Sequence, residues 1–287
     1  MKRTGVVLIL TAAILSACGA KGEHDEMNAG HGGHGNTAES SAGHAHGSEH
    51  NAPGAIATED VAAKWTVGGD QPAQAKQETT IRIELTNGGQ PIEQFDVTHE
   101  QKQHLIVVSK DLSYFHHIHP DYLGNGVFEV KNDFPSGGEY KLIADFVPTG
   151  GSAMNKSTWV KIEGEPDPAV PIEPDATLTK VVQGKEIKLA FDRLKAGEET
   201  MLTYTISDAQ SKEPIADLEP YLGAVGHVVI LTEDAKDYLH VHPMEEQASG
   251  PKAEFMTTFP QSGVYKIWGQ FKHRGEVFTV PFVVRVP

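Results

Sequence analysis

Residues 104–119 read His-Leu-Ile-Val-Val-Ser-Lys-Asp-Leu-Ser-Tyr-Phe-His-His-Ile-His, and residues 227–242 read His-Val-Val-Ile-Leu-Thr-Glu-Asp-Ala-Lys-Asp-Tyr-Leu-His-Val-His. Each stretch is a pair of short apolar runs around a polar turn, the pattern of a β-hairpin. Both carry histidines at equivalent places: His104, His117 and His119 in the first, His227, His240 and His242 in the second. The surroundings match too. Pro91-Ile92 and Pro214-Ile215 lie 13 residues upstream of the first histidine, Pro120 and Pro243 follow the last, and Phe-Pro then Gly-x-Tyr-Lys come downstream. The chain is an internal duplication.

Centring each hairpin on its turn sets His104 opposite His119 and Ile106 opposite His117, and likewise His227 opposite His242 and Val229 opposite His240. Side chains alternate faces along a strand, so each trio shares one face, with opposed β-carbons roughly 4.5 to 5.5 Å apart. The opposite face (Leu105, Val107, Tyr114, Ile118) is apolar as well, and a one-residue slip would scatter the rings. Three imidazoles repeated in two divergent halves point to a metal site in each repeat, where a lone histidine reads more simply as a hydrogen-bonded structural residue. Three nitrogen ligands leave one position of a four-coordinate ion open. Without a thiolate, Cu(II) is the tighter binder and Zn(II) its competitor. Asp145 and Met244 are possible additional ligands; their counterparts are Gln270 and Asp121, so the two sites are expected to differ. Binding needs neutral imidazoles, which predicts weaker affinity in acid. His99, His116 and His273 lie outside the repeated pattern and read as surface or structural residues. Trp65, Trp159 and Trp268 read as packing residues.

The ends set the location. Lys2 and Arg3, an apolar run from Val6 to Leu15, and Leu15-Ser-Ala-Cys18 read as a lipoprotein signal peptide over residues 1–17, with lipidation expected at Cys18. An acylated cysteine anchors the chain to the extracytoplasmic face of a cell membrane. Cys18 is the single cysteine, so no disulfide forms within the chain and packing carries stability. The formal charge of −15 becomes −17 once the leader is removed, which argues against nucleic acid as a partner. Residues 18–55 are rich in Gly, Ala, Ser, Glu and His and have almost nothing to bury: a disordered tether. His24, His31, His34, His44, His46 and His50 lie in it, and short His-rich tracts commonly capture metal.

From residue 56 onward the chain alternates in short runs separated by turns such as Asn87-Gly88-Gly89 and Gln261-Ser262-Gly263, with no long helical period. The expected fold is all-β, two tandem immunoglobulin-like β-sandwiches over residues 56–163 and 176–287. A linker at residues 164–175 is rich in proline, as suits an extended spacer.

The His-x-His-Pro, Phe-Pro and Gly-x-Tyr-Lys elements of 104–146 and 227–271 resemble the YtkA-like domains and CopC-type copper-resistance proteins of bacteria. The resemblance implies an immunoglobulin-like fold and an association with metal handling, copper more weakly. It departs from the CopC pattern at the mature N-terminus, where an acylated Cys18 replaces the histidine those copper sites can use.

The leading expectation is therefore a membrane-anchored lipoprotein that captures, buffers or delivers copper, or alternatively zinc, with a metal transporter or metalloprotein acceptor as the candidate partner. The alternative is a tandem immunoglobulin-like interaction or adhesion module without metal. An enzyme ranks last, because no paired carboxylates, general base or Gly-x-Ser-x-Gly nucleophile motif recurs.

Overall fold

The structure, a computed structural model, describes residues 56–287 apart from Asp70 and His240. Residues 1–17, read from sequence as a signal peptide, Cys18 and the six histidines from His24 to His50 lie outside the described residues, as does His240 of the second trio. A single 3-10 turn, Thr58–Asp60, precedes β1 (Val61–Val67), β2 (Glu78–Asn87), β3 (Gln90–Pro91), β4 (Phe95–Asp96), β5 (Gln103–Ser109), β6 (Phe115–Ile118), β7 (Asp121–Gly124), β8 (Val127–Asp133), β9 (Gly138–Pro148) and β10 (Met154–Ile162). The second repeat contains β11 (Thr179–Val182), β12 (Lys185–Phe191), β13 (Glu199–Asp208), β14 (His227–Thr232), β15 (Tyr238–Leu239), β16 (His242–Pro243), β17 (Lys252–Thr258), β18 (Gly263–His273) and β19 (Glu276–Val286).

Each repeat is a two-sheet antiparallel sandwich. In the first, β1-β2-β8-β7 faces β10-β9-β5-β6; in the second, β11-β12-β13-β17-β16 faces β15-β14-β18-β19. The alternation of β2 drives this: Ile81, Ile83 and Leu85 are fully buried while Arg82 and Glu84 are part-exposed and pair with each other at 3.4 Å. Phe128, Phe134, Tyr140 and Phe146 complete the first core, and Tyr204, Phe255, Phe259, Phe271 and Phe282 stand in the second. The fold is all-β with two sandwich repeats, as the alternating pattern predicts.

A third apolar cluster joins the repeats. Ile106, Val108, Leu112 and Ile143 pack with Val229, Leu231, Ala235 and Trp268. These are the same four positions taken once from each repeat, so the contact has approximate two-fold character. Strand β5 is buried on both sides for this reason: Leu105 and Val107 enter the first core, Ile106 and Val108 enter the joint. Phe115 stacks on Trp268 at 4.7 Å and 17°, and the Lys141 ammonium donates to the Ala235 carbonyl across the joint.

Candidate metal centre

The first hairpin has the register read from its turn. Ile106 pairs with His117 and Leu105 with Ile118. His104, Ile106 and Val108 therefore face the joint between repeats, and His117 joins them from β6, with His119 one residue beyond the strand. One ligand nitrogen from each of His104, His117 and His119 lies within 4.8 Å of the others, and the ring centroids are 4.8 to 5.2 Å apart.

Hydrogen bonds hold the outer nitrogens of two of the rings. His104 Nε2 lies 3.0 Å from the Thr98 carbonyl, which can only accept, so that nitrogen donates and Nδ1 of the neutral ring holds a lone pair. Gln270 Nε2 donates to Thr279 Oγ1 at 3.3 Å, leaving Gln270 Oε1 to accept from His117 Nδ1–H at 2.8 Å. With the Gln270 amide in this orientation, His104 Nδ1 and His117 Nε2 face each other at 3.0 Å as two lone pairs; the reverse orientation makes the contact a hydrogen bond. Two lone pairs repel at that distance unless a proton or a cation stands between them. Nitrogens on one tetrahedral ion, each about 2.0–2.1 Å from it, lie about 3.3 Å apart. The outer nitrogens bonded to a carbonyl and an amide oxygen match the second shell that orients metal-bound imidazoles. His119 Nε2 is buried and makes no hydrogen bond. The residues present fit a cation.

Burial holds the site neutral. It depresses His117 well below the usual imidazole value, helped by His104, and depresses His119 as well. His227 is likewise held well below that value by burial and by its neighbours His117 and His104. The expected acid sensitivity of binding is thus moved to lower pH, since the rings resist protonation.

Of the second trio, His227 and His242 are not brought together, which corrects the sequence reading for that pair, while His240 lies outside the described residues. The hairpin begins in the expected register, with Ile230 opposite Leu239 and Leu231 opposite Tyr238. But β15 ends at Leu239, and the chain crosses to the other sheet, where His242 pairs with Met256 of β17. His242 is exposed there, whereas His227 is buried on β14 in the opposite sheet. Met244 is 55% exposed beside β16 and is not brought to His227.

His227 turns instead toward the first trio. Its ring centroid lies 4.7 Å from that of His117 and 5.6 Å from that of His104. Its Nε2 is buried without a hydrogen-bond partner. His99, read from sequence as a surface or structural residue, also reaches the cluster, 5.4 Å from His227 and 6.0 Å from His104. It sits in a tight turn closed by Thr98 and Gln101, with φ 48° at His99 and 65° at Glu100. Tyr221 and Ala224 close the equivalent turn of the second repeat around Leu222 and Gly223, at φ 55° and 78°. Two non-glycine residues at positive φ cost roughly 1–3 kcal/mol each, and such strain gathers at functional sites.

Asp145 lies opposite His104 on β9, as Gln270 lies opposite His227 on β18. Its carboxylate accepts the Tyr238 hydroxyl at 3.0 Å from across the joint, and burial raises its pKa to about 6. The same burial, with Asp145 beside it, pushes the Tyr238 phenol well up. His116 faces away and bonds Asn132 at 2.7 Å, and His273 pairs with Asp217 at 3.1 Å, both in structural roles. An open groove of about 570 Å³, lined by Glu100, His117, His119, Tyr221 and Lys272 among others, leads to the histidines.

A family model described as a domain of unknown function, DUF8832, matches residues 57–164 and again residues 180–287. The chain belongs to the DUF8832 family. Its two DUF8832 domains are the two sandwiches, and the histidine cluster sits where they meet. No curated protein matches the chain. Among solved structures, it is similar to invasin, a bacterial integrin-binding protein, at 13% identity and TM-score 0.24 over 78% of this chain and 39% of that one. It is also similar to the D00–D0 domain of intimin (8%, TM-score 0.23, 78% and 99%) and to domains 4 and 5 of the S-layer protein SbsC (10%, TM-score 0.21, 78% and 98%). The chain spans about two fifths of the invasin chain's length. Likenesses at these TM-scores carry no argument about what the DUF8832 pair does.

Proposed function

We propose that this protein binds a transition-metal ion, copper or alternatively zinc, at His104, His117 and His119, and that it does so as a lipoprotein held at the extracytoplasmic face of a membrane through Cys18. One observation carries the reading: one ring nitrogen from each of His104, His117 and His119 lies within 4.8 Å of the others, with Thr98 and Gln270 holding the outer nitrogens of two of them. A cation placed among them would also use the His119 Nε2, which is buried without a hydrogen-bond partner. The tether histidines, from His24 to His50, would gather ions for the folded site, and the groove at His119 gives an acceptor protein a place to collect them. The resemblance in layout to YtkA-like and CopC-type domains agrees with this role. Capture, buffering or delivery without chemical turnover is the simplest use of such a site.

Isothermal calorimetry with Cu(II) and Zn(II) on a chain lacking residues 19–55 tests it. One ion per chain, lost in His117→Ala/His119→Ala, is expected. No uptake of either ion would end the proposal.

The second reading is a tandem immunoglobulin-like surface interaction module without metal. It predicts a partner whose binding is unchanged in His117→Ala/His119→Ala.

A further inference from the structure

We infer that His227 is the fourth ligand of this site, so that the ion lies between the two repeats and its binding clamps them together. The inference rests on the metal reading above and deepens it.

His227 belongs to the second repeat, yet it is 9% exposed and its ring packs against three histidines of the first. Its Nε2 has no hydrogen-bond partner and no access to water. Leaving such a nitrogen bare costs about 1–3 kcal/mol, and a buried polar atom without a partner calls for an explanation. A structural histidine in this chain finds a partner, as His116 does in Asn132 and His273 in Asp217. His227 and His119 each have a buried Nε2 without a partner, and the His227 ring packs on the rings of His104 and His117, two of the three histidines whose ring nitrogens lie within 4.8 Å of one another. Three ligands from one repeat and one from the other complete the four-coordinate shell that zinc prefers in closed sites.

The position of His227 follows from the duplication. It is the counterpart of His104, and the approximate two-fold contact brings the two first-strand histidines face to face. The rest of that contact is a small apolar cluster, four buried side chains from each repeat with Phe115, Ile172 and Tyr238 packed against them, and a few polar contacts. An ion ligated from both sides adds its binding free energy to docking, because the separated repeats offer three ligands and one. The second-repeat domain alone then lacks the site.

Zinc(II) added to the full chain, with Cys18→Ser to keep it soluble and ¹⁵N-labelled histidine, provides the test. Ring-nitrogen NMR is expected to show His104 Nδ1 and the Nε2 atoms of His117, His119 and His227 moving together to metal-bound shifts. His227→Gln, which keeps size and polarity, is expected to weaken zinc at the folded site by at least about tenfold, more than loss of an outer-shell partner at the low end of its range. It is also expected to abolish zinc-dependent hydrogen-exchange protection of β5 and β14. Movement of the first three rings with His227 unmoved, or unchanged affinity in His227→Gln, overturns the clamp and leaves a three-histidine site. No movement of any of the four rings overturns the metal reading itself.

Discussion

His104 and His227 occupy the same position in the two repeats and lie against each other with ring planes 11° apart and centroids separated by 5.6 Å. The duplication thus turns one residue of a hairpin into two facing groups at a joint. Everything chemical in the molecule is arranged around that meeting: His117 and His119 complete one side, and the Thr98 carbonyl and Gln270 amide hold the outer nitrogens.

Gln270 reaches His117 from the second repeat, so it positions a ligand that it does not itself extend. Gln270→Leu removes the acceptor for His117 Nδ1–H and is expected to weaken zinc binding about 10- to 100-fold. Gln270→Glu restores an acceptor and is expected to keep binding. Competition with a chromophoric chelator measures both. Equal affinity in all three chains would remove Gln270 from the site.

The two trios are unequal. His119→Ala is expected to lower zinc affinity at the folded site by at least about tenfold, as deletion of a ligand exceeds loss of an outer-shell partner. His242→Ala, on the exposed β16, is expected to leave it unchanged. Similar losses in both would restore two independent sites.

This inequality marks the limit of what the sequence discloses. Turn-centred pairing gives the register of both hairpins, because strand periodicity and a short turn leave little freedom: Ile106 faces His117 and Ile230 faces Leu239. The placing of β15 and β16 in different sheets does not follow from those rules, since it is a tertiary event. The joint was signalled by β5 and β14 being apolar on both faces. That double-sided burial reads in sequence as an ambiguity of register, although in a sheet covered on both sides it is the rule. His99 escapes a search for repeated histidines because its counterpart is Leu222. Its signal is backbone conformation, as His is among the residues enriched at positive φ, and Gly223 marks the same turn in the second repeat.

The turn at His99 and Glu100 stores strain that glycine would relieve. Glu100 is exposed, with φ 65°. Glu100→Gly is expected to raise stability in urea by about 1 kcal/mol without altering zinc affinity. A loss of stability would mean that the glutamate makes contacts that outweigh the strain.

Trp268 is 2% exposed and carries the joint through its stack on Phe115. Trp268→Ala is expected to cost about 3–5 kcal/mol in denaturant unfolding, as large-to-small changes in packed interiors do. Zinc affinity should fall with it, because His227 and Gln270 approach from the same repeat.

In the chelated chain, acid should destabilise the fold. His117 and His227 stay neutral when folded, while the unfolded chain takes up protons near pH 6.5. Their stabilisation is complete above that value and declines as pH falls, by up to about 1.4 kcal/mol per unit for each ring. Asp145 opposes this: its carboxyl titrates at about 6 when folded against 3.8 as its reference, so the folded chain binds the extra proton between those values and recovers part of the loss. Urea midpoints should begin to fall near pH 7 and reach a steady slope below about pH 6, roughly half of what the two imidazoles alone would give, because Asp145 offsets the rest. A flat profile from pH 7 to 5 would contradict the buried neutral imidazoles.

Anomalous diffraction at the zinc or copper edge, from crystals of the loaded chain, tests the central claim most directly. The account predicts one peak at the joint between the repeats, within bonding distance of His104 Nδ1 and the Nε2 atoms of His117 and His119. A joint empty of anomalous signal in metal-loaded crystals, with ions on surface histidines alone, would contradict it.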